Sequence, residues 1–132
     1  MNKSSIQLFG ASMRLSFEAK FVDCVDAIDG EILQVTFDTL PPSYDEVERR
    51  TPYVLISRNF EFPGSATVEW HDGIDYDGGA KIREMVLKRE RVSATLDRKM
   101  ELDVTFRISD KKFAKLKSYL ESMLGKRVVN AE

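Results

Sequence analysis

The stretch Leu102-Asp103-Val104-Thr105-Phe106-Arg107-Ile108-Ser109-Asp110-Lys111-Lys112-Phe113-Ala114-Lys115-Leu116-Lys117-Ser118-Tyr119-Leu120-Glu121-Ser122-Met123-Leu124-Gly125 decides the fold, because its apolar period changes midway. Up to Ile108 every second residue is apolar, with Asp103, Thr105 and Arg107 between, which is the pattern of a strand with one wet face. From Phe113 the apolar residues Leu116, Leu120, Met123 and Leu124 follow at threes and fours, which is one face of a helix. Ser109 supplies an N-cap oxygen, and Gly125 suits the left-handed position that stops a helix. Each element alone leaves an apolar face in water, so the pair implies an α+β domain in which a helix covers a sheet. Lys111, Lys112, Lys115 and Lys117 read as the helix's solvated side. The residues after Arg127 read as a loose tail.

Upstream, residues 81–88, 91–96 and 101–108 form a meander joined by polar turns at Arg89-Glu90 and Asp97-Arg98-Lys99. Residues 53–60 and 66–71 read as two further strands, interrupted at Pro63-Gly64. Between His71 and Lys81 lies an acidic, glycine-rich segment, Asp72-Gly73-Ile74-Asp75-Tyr76-Asp77-Gly78-Gly79, read as a loop. The charged run 43–52, bracketed by prolines, is a second loop. Near the N-terminus Met13, Leu15, Phe17, Ala19 and Phe21 alternate with Arg14, Ser16, Glu18 and Lys20. After the turn signal Asp29-Gly30, Ile32, Leu33, Val35 and Phe37 complete a long hairpin. The expected fold is therefore α+β: an antiparallel β-sheet, made of an N-terminal hairpin and a C-terminal meander, packed against one C-terminal helix. Residues 1–132 are expected to form a single domain.

Composition narrows the function. The chain of 132 residues is 42% hydrophobic and 32% charged, as an ordinary globular protein is. With 20 Lys+Arg against 22 Asp+Glu, no excess of positive charge draws it to nucleic acid. No apolar run approaches the roughly 20 residues of a membrane helix, and no secretory signal follows Met1, so the expected location is the cytoplasm. Cys24 is the single cysteine and His71 the single histidine. Any nucleophilic or metal chemistry would have to converge on Glu69-Trp70-His71-Asp72, where acidic turn residues that cap their own backbone are the simpler reading. Neither a phosphate loop nor a dinucleotide fingerprint is present, and no cofactor or metal is expected.

Aromatic residues beside acidic ones are the remaining signal. Tyr44 stands next to Asp45 and Glu46, and Tyr76 stands between Asp75 and Asp77. Aromatic anchors flanked by steering charges suit protein recognition, so Tyr44, Glu46, Asp75, Tyr76 and Asp77 are the candidate binding residues. Trp70 reads equally as a core residue or an anchor.

Four segments, Tyr53-Val54-Leu55-Ile56-Ser57-Arg58, Val68-Glu69-Trp70, Tyr76-Asp77-Gly78-Gly79 and the alternating run from Ile82 to Ile108 that leads into the helix, resemble the immunity protein 10 family of bacterial polymorphic-toxin systems. The resemblance covers roughly the last three fifths of the chain, by motifs that are short. It implies a small cytoplasmic α+β protein that binds and neutralises a toxin domain without catalysis. Two other classes stay open on the residues alone: a small-ligand-binding or regulatory accessory domain, and a hydrolase whose carboxylates are not located. Oligomeric state is not specified by the sequence.

Overall fold

The computed structural model describes residues 5–9, 12–41, 51–62 and 64–130. Ten strands and one α-helix follow in the order β1 (Ser5–Phe9), β2 (Ser12–Glu18), β3 (Phe21–Ala27), β4 (Ile32–Asp38), β5 (Tyr53–Asn59), β6 (Thr67–His71), β7 (Tyr76–Lys88), β8 (Arg91–Leu96), β9 (Met100–Thr105), α1 (Asp110–Leu124) and β10 (Val128–Asn130). The fold is α+β, but the sheet is mixed rather than antiparallel. Its order is β1-β2-β9-β8-β7-β6-β5-β4-β3, with β10 on β7. β2 runs parallel to β9, and β10 runs parallel to β7. Period-two alternation marks a strand's wet face and leaves its partner and direction undetermined. That is why the parallel pairs were not foreseen.

The long N-terminal strand divides in two. The Ala19 amide donates to the Thr105 carbonyl at 2.8 Å, whereas the next amide, Lys20, donates to Asp38 at 2.8 Å. The chain thus passes from β9 to β4 between two consecutive residues, and the buried positions change parity. Leu15, Phe17 and Ala19 point inward before the corner, and Val22 does so after it. Met13 and Phe21, expected on the core face, are exposed. β7 makes a second corner. Its first half pairs with β6, its second half pairs with β8, and a register shift separates Ile82 from Glu84.

β3 continues from β2 through the corner at Ala19-Lys20, so the two sides of the sheet are joined by the chain, and their buried residues share one core. Phe37 of β4 and Phe106, just beyond β9, meet there with ring centroids 5.9 Å apart. Every strand with described side chains contributes its alternate residues to this single cluster.

α1 starts and stops where its caps stand. Ser109 Oγ accepts the Lys112 amide at 3.1 Å. Gly125 takes φ 59 and returns its N–H to the Glu121 carbonyl. Leu116, Leu120, Met123 and Leu124 are buried, and the helix lies mainly against β4 and β3 rather than β9. Two arginines pin its ends. Arg89 Nη2 donates to the Ile108 carbonyl at 2.8 Å and to Asp110 at 2.7 Å. Arg58 Nη1 donates to the Met123 carbonyl at 2.8 Å, a favourable place for a cation at a helix C-terminus. The segment after Arg127 is no loose tail: Val128 and Val129 pair with Met85 and Val86 on the edge that β6 has left.

The β3–β4 turn carries strain. Asp29 and Gly30 sit at φ 52 and 86, and the Glu31 amide closes the turn on the Ile28 carbonyl at 3.1 Å. An Asp-Gly pair is suited to two positive φ values. Ile28 also lies at φ 53, a conformation that costs a non-glycine residue about 1–2 kcal/mol and is least tolerated by β-branched side chains.

No helix among the described residues is long and apolar enough to cross a membrane.

Candidate functional site

The acidic segment after His71 forms the tip of the β6–β7 hairpin. Only residues 72–75 are turn, because Tyr76 already pairs with His71 as the first residue of β7. The turn satisfies its own amides. Asp72 Oδ1 accepts from both Ile74 and Asp75 at 2.7 Å. His71 Nδ1 accepts the Gly73 amide at 2.9 Å, so this nitrogen presents a lone pair to the turn. The His71 ring also stacks on Tyr53, with centroids 6.1 Å apart. The histidine is thus bound into the turn and its neighbouring strand.

Behind the tip, Gly78-Gly79 reads as a loop in the sequence and is a bulge in the structure, since Val68 pairs with Ala80 but Trp70 pairs with Asp77. Gly79 takes φ 80. Gly78 is required for a different reason: a Cβ there would stand 2.8 Å from Tyr76 Oη and 2.9 Å from Glu69 Cβ. The tyrosine therefore lies across the glycine, and its hydroxyl donates to Glu69 Oε2 at 2.6 Å. That bond holds the phenol proton and pushes the Tyr76 pKa above its usual value. Arg98, from the β8–β9 turn, donates to the bulge carbonyl of Gly78 and to Asp77 at 3.3 Å. Its guanidinium lies 5.9 Å from the centre of the Trp70 ring.

Of the candidate residues, Asp75, Tyr76 and Asp77 come together at this tip and are exposed. Tyr44 and Glu46 lie outside the described residues. Trp70 is a core residue on the face it shares with Val68. Three participants were missed. Glu69 and Arg98 hold the tip in shape, and Ile74, 83% exposed, is its most prominent apolar group. The pairing of Glu69 with Tyr76 depends on the bulge, which no spacing rule in the sequence announces. Ile74 was legible as an apolar residue between turn formers.

A Cys–His dyad has no geometric basis. Cys24 sits beside Val35, Ile56 and Val68 in successive strands, which places it three spacings of about 4.8 Å from β6. Burial also pushes its thiol up to about 11, well away from a reactive thiolate. Among the described residues no cluster of three or more His, Cys, Asp or Glu could hold a metal ion.

Two surface clefts lie elsewhere. One, of about 180 Å³, is lined by Arg14, Glu84, Arg91, Glu101 and Asp103 among others. The other, of about 340 Å³, includes Glu18, Glu90 and Arg107. In the first, Arg14 pairs with Glu101 at 2.8 Å and Arg91 with both oxygens of Asp103. Four of its five charged residues are thus held in two ion pairs.

Comparison of the chain with known protein families, curated proteins and solved structures yields no match.

Proposed function

We propose that this protein is a non-enzymatic, cytoplasmic protein-binding domain, an immunity-type protein that holds a toxin domain through the Tyr76 tip. The carrying observation is the bracing of an aromatic side chain that remains 57% exposed. Tyr76 is fixed across Gly78 by its bond to Glu69, so little rotamer freedom is left to lose when a partner covers it. Ile74 adds an apolar contact, and Asp75 and Asp77 add charges that speed encounter with a basic surface. Small-ligand binding is less well supported. Ligand sites are mostly apolar cavities of roughly 300–1,000 Å³, whereas the clefts here are lined largely by charged residues.

The test uses the full chain and the polypeptide encoded by the adjacent gene. Tyr76→Ala is expected to weaken binding by about 2 kcal/mol, or roughly thirtyfold in Kd, with an unchanged melting temperature. Asp75→Lys should chiefly slow association at low salt. Full-strength binding by Tyr76→Ala would remove the tip from the interface, and absence of any complex would remove the immunity reading.

A further inference from the structure

At the opposite end of the hairpins, the turn at residues 28–31 adjoins the one at 60–62, where the Phe60 amide donates to the Glu31 carbonyl at 2.6 Å. These turns expose Ile28 by 61%, Phe62 by 62% and Phe60 by 41%, with Val25 of β3 exposed nearby. Solubility disfavours that display, and conformation disfavours Ile28 independently. Asparagine or glycine would relieve the positive φ and the exposure together. A residue wrong for its backbone and wrong for water, beside the exposed Phe62 and the partly exposed Phe60, is what a recognition site retains and a merely structural turn discards.

The charges say what fits. Every charged residue in 25–31 and 60–64 is acidic, namely Asp26, Asp29, Glu31 and Glu61, and all four are exposed. Arg58, at the end of β5, is turned to the helix end and covers the Phe60 ring at 4.5 Å, and Lys112 and Lys115 of α1 lie on the Cys24 side of β3. We propose that these two turns form a second docking surface, for a protein segment that carries apolar side chains among lysines or arginines. A second copy of this chain fits poorly, since a two-fold contact sets the same patch against itself and brings like carboxylates together. An anionic membrane meets the same repulsion.

The experiment measures anisotropy of two labelled 12-residue peptides with leucines at the same positions, one with lysine and the other with glutamate at the remaining sites. The full chain should bind the lysine peptide saturably and at least about tenfold more tightly than the glutamate peptide. Phe62→Ser and Ile28→Asn should each weaken that binding about tenfold or more. Ile28→Asn should at the same time raise the melting temperature by a few degrees, which separates lost recognition from lost folding. Tyr76→Ala should leave peptide binding unchanged, so this surface stands or falls apart from the tip. The proposal is overturned by no saturable binding, by equal affinity for both peptides or by full binding in the two variants. A dimer in sedimentation that Phe62→Ser dissociates, or partition into phosphatidylserine vesicles that it abolishes, would overturn it in favour of self-association or a lipid surface.

Discussion

At the Tyr76 end of the sheet three of the turn's four amides are taken by side chains, with Asp72 accepting two and His71 one, and the Asp72 amide donates to the Asp75 carbonyl. At the Phe62 end the β3–β4 turn closes on backbone alone, with Ile28 held at φ 53. The first end is stiff because its local bonds are complete. The second holds its shape because neighbouring structure imposes it, through the β4–β5 ladder and the helix that Arg58 pins at Met123. Exposed apolar groups are thus presented in two ways, one dependent on a few local contacts and the other on the whole domain.

The largest effect should come from the support of the second end. Leu116 is fully buried in α1, and Leu116→Asp would place an unpaired charge there, for a loss of about 3–4 kcal/mol. A denaturant melt measures it, and hydrogen exchange should show the β3–β4 end opening more than the β6–β7 tip. An unchanged midpoint would mean that the helix does not carry that end.

Next comes the Tyr76 end. Gly78→Ala forces the new Cβ against Tyr76 and Glu69, at a cost of about 1–3 kcal/mol for the clash. Tyr76 should leave Glu69, which the phenol's ultraviolet titration would register as a fall in pKa toward the usual value. Retention of the raised pKa would show that the tyrosine does not need the glycine beneath it.

The smallest effect belongs to neither end and sets a baseline for both. The Arg91 guanidinium, through its hydrogen bonds, holds the Asp103 carboxyl below the usual carboxylate range. The associated stability is present above the unfolded carboxylate pKa of about 3.9 and is lost as pH falls through the lower folded value. Arg91→Ala should cost about 0.5 kcal/mol at pH 7, because the Arg91 side of the pair is half exposed. The difference from wild type should shrink as the solution is acidified below about pH 4. Urea midpoints at neutral and acid pH check both statements, and a difference that grows on acidification would reverse the assignment.

The two ends also differ in how much the sequence discloses. Ser109, the helical stripe and Gly125 mark α1 because caps and period are local properties. Asp29-Gly30 marks its turn for the same reason, and Tyr76 with its flanking aspartates was legible as exposed. What escaped was set by distant partners. Val128-Val129 looks like a tail until β7 offers the edge that β6 vacates, and Ala19-Lys20 looks like mid-strand until β9 and β4 each claim one amide. Val68 and Trp70 share a face by simple alternation, so the burial of Trp70 was available from the pattern once β6 was located. Nothing local indicates that Ile28 would adopt a positive φ.

The parallel pairing of β2 with β9 has a consequence for how the molecule comes into being. Arg14 and Glu101, directly opposite across this pair, are 87 residues apart in the chain. During synthesis β2 has only β1 beside it until the intervening strands have been made, and its pairing with β9 cannot form before then. Contacts of such long range slow folding toward the millisecond-to-second regime of β-rich domains. They also leave an unpaired strand edge open to other chains in the interval. The ion pair between Arg14 and Glu101 therefore joins two segments synthesised 87 residues apart, and the time between them is when the edge of β2 is exposed to aggregation.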